Sequence, residues 1–283
     1  MTGNTVAPIS QHPGGVRRYR SIFISDVHLG SKGCKADLLL DFLRHAESEY
    51  LYLVGDIVDG WRLKKKWFWP DSHGEILQTL LARGGCGTRV VYLPGNHDEA
   101  LRKLIGQSFA GIEVAHDVIH ETMDGRRLLV THGDLFDSLV REVRWLARLG
   151  SLAYEISLSL NSACNAIRRL LGYGYWSLSG YLKDRVKAAV KFIDNYEHSL
   201  AAEARRRKVA GIVCGHVHKP EMRTIGGVLY VNDGDWVENC SALVEHPDGR
   251  LELVSWVARE SLAALPWPVP LPEAGQKKTA LAA

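Results

Sequence analysis

Short apolar runs recur along the chain, and five of them end in a polar cluster. "YRSIFIS" leads into "DVHLG", "EYLYLV" into "GDIVDG", "RVVYLP" into "GNHD", "RRLLVT" into "HGD", and "VAGIVC" into "GHVHKP". Runs of this length, rich in β-branched and aromatic residues and closed by glycine or proline, predict strands. Between the first three lie stretches of helical period. One is Ala36 to Ser48, with Leu39, Phe42 and Leu43 on one side; the other is Gly74 to Arg83, with Ile76, Leu77, Leu80 and Leu81. Strands that alternate with helices predict α/β architecture with parallel pairing near the start. Further on, Asp124-Gly125, Gly226-Gly227 and Asp248-Gly249 each separate two short apolar runs, which is a hairpin signal. Parallel units combined with hairpins predict two sheets packed face to face with helices outside, an α/β/β/α arrangement. No linker composition interrupts the chain, so one domain is expected over residues 18–258, with residues 1–17 and 265–283 as unfolded or loosely packed tails.

Residues 138–208 break the alternation. Leu152, Ile156, Leu160, Ala163, Ile167 and Leu170 form one helical stripe; Leu182, Val186, Val190, Ile193 and Leu200 form a second. Lys183, Lys187 and Lys191 flank the second stripe at four-residue spacing, and "GYGYWSLSGY" between the stripes brings Tyr173, Tyr175, Trp176 and Tyr181. The pattern predicts a helical insertion between the fourth and fifth polar clusters. Its stripes suit packing on a core or on another subunit, or contact with an apolar ligand.

Composition narrows the class. The 283 residues are 46% hydrophobic and 24% charged, ordinary values for a globular protein. A net charge of +3 is too small to argue for a nucleic-acid partner, and none is expected. The five cysteines are scattered, with no C-x-x-C pair, which reads as reduced thiols in a cytoplasmic protein. The first twenty residues lack an apolar leader, and no apolar run reaches the length of a membrane span. Membrane contact is therefore expected only as a peripheral one, on the cytoplasmic face of the inner membrane. "WRLKKKWFWP" (residues 61–70) is a basic, aromatic stretch suited to an anionic lipid surface.

The polar clusters carry the chemistry. Asp26 and His28, Asp56, Asn96, His132, and His216 and His218 are carboxylates, imidazoles and one amide oxygen, without a thiolate. That donor set suits a borderline-to-hard divalent ion, Mn²⁺ first, with Fe²⁺ or Zn²⁺ as alternatives. The i, i+2 spacing of Asp26 with His28 and of His216 with His218 predicts, in extended backbone, side chains on one side. Seven ligands exceed one tetrahedral site and suit two ions if a carboxylate bridges. Two such ions can clamp a phosphoryl group and activate a hydroxide between them. His97, next to Asn96, would face the same phosphate, to stabilise its charge or to protonate the leaving oxygen. Asp59, Asp98 and Asp134 read as caps or as groups that orient a neighbour.

"DVHLG", "GDIVDG", "GNHD", "THGD" and "GHVHKP", in this order over residues 26–218, resemble the calcineurin-like metallophosphoesterase superfamily. The resemblance implies a four-layer α/β/β/α sandwich. It implies that Asp26, His28, Asp56 and His218 hold one metal, that Asp56, Asn96, His132 and His216 hold the other, and that His97 is catalytic. "HGD" followed by a helical insertion, then "GHVHKP" and "NDGDWVENCSALVE", is similar to UDP-2,3-diacylglucosamine diphosphatases. Those enzymes hydrolyse the diphosphate of a lipid A precursor to UMP and diacylglucosamine 1-phosphate. On that resemblance the insertion caps the site and accepts acyl chains, with Trp176, Lys183, Lys187 and Lys191 as substrate-binding residues. His97 stands where those enzymes carry an arginine, and "LFDSLVREV" replaces their "CTDD"-like stretch. A phosphodiester or phosphomonoester of a nucleotide or phospholipid derivative is therefore the alternative substrate. A non-enzymatic scaffold is the third reading, and it would predict lost ligands, whereas all seven are present.

Overall fold

A computed structural model describes residues 15–136, 195–257 and, as backbone, 260–264. The first sheet has eight strands. β1 (Arg17–Ile24), β2 (Ala46–Leu53), β3 (Arg89–Tyr92), β4 (Ser108–Phe109) and β5 (Ile112–Val114) come from the first half. β11 (Ser241–Glu245), β12 (Leu251–Ser255) and β13 (Glu260–Ala264) come from the end. Their order is β13-β12-β11-β1-β2-β3-β5-β4, with β1, β2, β3 and β5 mutually parallel. The second sheet holds β6 (Val118–Glu121), β7 (Arg127–Val130), β8 (Gly211–Cys214), β9 (Glu221–Ile225) and β10 (Val228–Asn232), in the order β6-β7-β8-β10-β9. β7, β8 and β10 are parallel, and the three predicted glycine turns close the antiparallel hairpins β6–β7, β9–β10 and β11–β12.

The layers follow from side-chain alternation. Along β1, Ile22 and Ile24 join one core cluster while Phe23 joins another; Leu51 and Leu53 against Tyr52, and Val90 and Tyr92 against Val91, repeat this on β2 and β3. One cluster includes Leu39, Phe42 and Leu43 of α1 (Ala36–His45) and Ile76 and Leu80 of α3 (Asp71–Gly85), so these helices cover the outer face. The other includes Leu128, Val130, Val213 and Val231 and fills the space between the sheets. Strands buried on both faces need apolar residues at every position, which is why the runs read as continuous. A helix through residues 195–206 leads into β8, and Arg205 and Arg207 at its end bond Gly226 O and Asp117.

Two boundaries differ from the sequence reading. α1 stops at His45 and the chain enters β2 at Ala46, because Ala46 to Ser48 pair in register with Arg17 to Tyr19 of β1. Local helical period gives way there to a long-range ladder. The sheet also continues past residue 258, since β13 pairs antiparallel with β12. Contacts divide the chain into two compact units, residues 1–134 with 203–283, and residues 135–202. The site described below belongs to the first. Among the described residues no helix is long and apolar enough to cross a membrane. Tyr173, Tyr175, Trp176, Tyr181, Lys183, Lys187 and Lys191 lie outside the described residues.

Candidate metal centre

Parallel strands bring their carboxyl ends to one edge, and the loops leaving β1, β2 and β3 meet those leaving β7 and β8. Asp26 and His28 follow β1, Asp56 follows β2, and Asn96 and His97 follow β3. His132 follows β7, and His216 and His218 follow β8. The loops are laced to one another. Asp26 N–H donates to Gly55 O, His28 N–H to Asp56 O, His97 N–H to Asp56 Oδ1 and His216 N–H to Asp26 Oδ2, at 2.7 to 3.0 Å.

The backbone of these loops is not extended. Asp26, His28, Asp56, His216 and His218 have φ of 50°, 54°, 54°, 68° and 53°. They make up five of the eight non-glycine residues with positive φ among the described residues. Left-handed backbone is strained for most side chains and is retained where surroundings hold it. This corrects the extended-backbone expectation for the two i, i+2 pairs: left-handed turns, not pleated strand, aim each side chain. The result differs between the pairs. Asp26 and His28 stay together, whereas His216 and His218 part and join different groups.

Among the described residues three groups of donor atoms form, and two of them gather the predicted ligands; the third joins His28 to Asp59 and His97. In the first, His218 Nε2 lies 2.6 Å from Asp26 Oδ1 and 3.3 Å from His28 Nε2. Two donors each about 2.1 Å from one ion stand about 3 Å apart, so this spacing suits a shared cation. The second holds Asp56, His132 and His216, with His132 Nε2 at 3.5 Å from Asp56 Oδ1. His132 Nδ1 donates to Val54 O at 2.8 Å, which turns Nε2 toward the group. His132 Nε2, Asp56 Oδ2 and Asn96 Oδ1 are buried without a hydrogen-bond partner, the condition of atoms that await a ligand. Asp56 links the groups, since its Oδ2 is also 4.0 Å from His28 Nε2. Gly95 permits this closeness: a Cβ there would meet His132 Nε2 at 2.6 Å and would collide with Asp56 Oδ1.

A calcineurin-like phosphoesterase family model matches residues 19–220. The chain belongs to this family. It is 25% identical over 240 residues to the UDP-2,3-diacylglucosamine hydrolase of Chromohalobacter salexigens, covering 76% of this chain and 88% of that one. It is 26% identical over 246 residues to the enzyme of that name from Aeromonas salmonicida, covering 82% and 92%. Among solved structures, Vps29 of Entamoeba histolytica aligns over 85% of this chain and 94% of its own, at 13% identity and a TM-score of 0.44. Calcineurin-like phosphoesterases are binuclear metal-dependent hydrolases, and the two donor groups, free of thiolate, fit such a pair of divalent ions. The resemblance expected from the motifs holds, and so does the two-sheet architecture.

The electrostatics of this phosphoesterase site follow from burying carboxylates and imidazoles together. Burial opposes a charged imidazole, yet Asp26 and Asp59 raise the His28 pKa to about 9, and Asp56 raises that of His132 to about 10. Burial likewise opposes ionised Asp26, but His218 beside it holds the carboxyl well below its usual range. The protons on these histidines occupy the positions a metal would take, so the two compete.

Around these atoms sit orienting groups. Asp59, the N-cap of α2 (Gly60–Lys65), accepts from Arg62 N–H at 2.9 Å and places Oδ2 3.4 Å from His28 Nδ1 and Oδ1 3.0 Å from His97 Nδ1. Asp98 accepts from Ile57 N–H, Gly95 N–H and Tyr92 Oη, at 2.9, 2.6 and 2.6 Å, and so joins the loops after β2 and β3. Asp134 pairs with Arg102 at 2.6 Å. Sequence reasoning missed others. Trp61 lies against the His97 ring at 4.2 Å, and Asp235 Oδ2 is 3.6 Å from His218 Nδ1. Asn239 Nδ2 donates to His218 O at 2.9 Å. β10 is a sixth strand exit, and the signal for it was the "DGD" directly after "LYVN".

Proposed function

We propose that Asp26, His28, Asp56 and His218 hold one divalent ion and Asp56, Asn96, His132 and His216 the other, to hydrolyse a phosphoanhydride or phosphodiester. The observation that carries this reading is the pair of donor groups joined through Asp56, with partnerless atoms aimed between them. Two bound ions would lower the pKa of water toward neutrality and polarise the phosphoryl oxygens. The remaining chemistry belongs to side chains. Asp59 fixes His97 by its Nδ1, and Trp61 restricts the ring's tilt. His97 Nε2, 3.9 Å from Asp56 Oδ2, then faces the phosphate, where an imidazolium stabilises developing charge or donates a proton to the leaving oxygen.

For the substrate we favour UDP-2,3-diacylglucosamine, cleaved to UMP and 2,3-diacylglucosamine 1-phosphate. The names of the relatives support it, and so does the surface beside Asp59. Trp67 there is 73% exposed, Lys64, Lys65 and Lys66 are exposed with it, and Lys32 lies 5.8 Å above the Phe68 ring. A basic, aromatic surface suits a lipid-linked substrate drawn from an anionic membrane. Trp176, Lys183, Lys187 and Lys191 are proposed to meet the acyl chains and their anionic head. His97, in the place of an arginine, favours the second reading, a nucleotide or phospholipid diester. Incubation with UDP-2,3-diacylglucosamine and Mn²⁺ should release UMP; cleavage of a soluble nucleotide diester without UMP release selects the second reading.

A further inference from the structure

The exit of β10 carries a group that this chemistry leaves unused. Asp233 is fully buried; its Oδ1 lies 2.6 Å from Ser25 Oγ, and its Oδ2 is buried without a hydrogen-bond partner. Ser25 Oγ lies 2.8 Å from Asp26 Oδ2, which also accepts from His216 N–H at 2.7 Å. The Gly234 carbonyl is farther from the hydroxyl, at 3.3 Å.

A hydroxyl has a single proton to donate. Were Ser25 to give it to Asp233, its lone pairs would face the Asp26 carboxylate across 2.8 Å. Were it to serve Asp26 beside an ionised Asp233, two oxygens without a proton between them would meet at 2.6 Å. With Asp26 the ionised ligand, both contacts are favourable only if Asp233 is the neutral acid, donating to Ser25 Oγ, while Ser25 donates to Asp26 Oδ2. The surroundings agree: burial first, and the charge of Asp26 as well, push the Asp233 carboxyl well above its usual range. Its partnerless Oδ2 is then the carbonyl oxygen of an acid, less costly to bury than part of an anion.

We propose that Asp233 and Ser25 form a hydrogen-bond chain that holds Asp26 by its Oδ2 and so presents Oδ1 to the metal, with Asp233 a neutral positioning residue. This rests on the reading of Asp26 as a ligand. The chain steers Asp26 without adding negative charge to a site that already buries Asp26, Asp56 and Asp59. An amide at position 233 would serve equally, its N–H donating to Ser25.

The test is calorimetric titration of metal-stripped, full-length protein with Mn²⁺, with circular dichroism to monitor the fold. Ser25→Ala and Asp233→Ala should each weaken one Mn²⁺ binding step by about 10- to 100-fold, the usual cost of losing a group that orients a ligand. Asp233→Asn should bind like the unaltered protein. Unchanged Mn²⁺ affinity in Ser25→Ala overturns the proposal, and so does a loss in Asp233→Asn as large as in Asp233→Ala. Ser25→Ala removes one oxygen and decides the matter alone if Asp233→Ala does not fold. Asp26→Ala is the control: if it binds both ions unaltered, the ligand reading itself fails, and the proposal with it.

Discussion

Two buried clusters of histidine and carboxylate among the described residues are built differently. Between the sheets, Glu245 Oε1 accepts from Arg20 at 3.0 Å and Met123 N–H at 2.8 Å, and Oε2 from Ser21 and from His120 Nε2 at 2.8 Å. Tyr52 Oη bonds the other nitrogen of His120 at 2.9 Å. All of these atoms have partners. At the strand exits, by contrast, Asp56 Oδ2, Asn96 Oδ1 and His132 Nε2 have none, and left-handed backbone recurs. A buried polar network that satisfies itself is structural; one that leaves inward-facing atoms unmet is shaped for something else. Residue type alone does not separate the two.

The sharpest way to break this contrast is to remove the residue common to both donor groups. Asp56→Ala should lower hydrolysis of an aryl phosphodiester in Mn²⁺ by more than about 10³-fold, beyond the usual loss for one stabilising contact. Elemental analysis should show loss of bound metal while the fold persists. Retained hydrolysis would mean that the unmet atoms at the strand exits have no part in the reaction.

Glu245→Ala supplies the opposite arm. It strands buried His120 and takes the carboxylate from half-buried Arg20, which should cost about 3 kcal/mol of stability, read as a lower denaturant midpoint. Mn²⁺ affinity of the folded protein should not move. A collapse of metal binding at full stability would assign this cluster to the site instead.

Part of this architecture was legible in the sequence and part was not. Five strand exits were visible because the parallel runs are apolar throughout and stop abruptly at glycine, aspartate or histidine. The two-layer core was visible in the same runs. Hidden was the backbone sign: all four residues of the two i, i+2 pairs have positive φ, and spacing gives no hint of it. Hidden too were groups recruited across the fold. Ser25 reaches Asp233, and Asp59 meets both His28 and His97, through pairings that no local pattern encodes. Glu245 looked like an ordinary residue closing a strand, since its partners come from β1, β6 and the turn after β6.

Acidity separates the clusters further. In metal-stripped protein, His28 and His132 have pKa values raised to about 9 and about 10. A raised histidine stabilises fully below its unfolded value of about 6.5, and that contribution is lost as pH rises through the folded value. Metal-free protein should therefore weaken between about pH 7 and 10. Glu245 runs the other way. Burial opposes its ionisation, but bonds from His120, Ser21 and Met123 N–H win and lower its pKa. Its contribution is present above the unfolded value of about 4.3 and fades as pH falls through the folded one. Saturating Mn²⁺ should remove the alkaline loss, because metal replaces those protons, and leave the acid loss in place. Unfolding midpoints across pH, with and without Mn²⁺, read both limbs.

The smallest expected effect carries the rule to the surface, where groups facing only water can also mark a binding partner. Lys65 and Trp67 are both exposed, at and just after the end of the helix that Asp59 caps, and they should contribute in different ways to binding phosphatidylserine vesicles. A lysine near an anionic membrane is worth about 1 kcal/mol, so Lys65→Ala should weaken vesicle sedimentation about fivefold at low salt. Screening over about 8 Å at physiological ionic strength should shrink that loss. Trp67→Ala should weaken binding by an amount that salt does not erase, because an indole enters the interface through its apolar surface. Equal salt dependence of the two losses would reduce the patch to a solvated charge cluster and would leave the lipid-linked reading resting on the relatives alone.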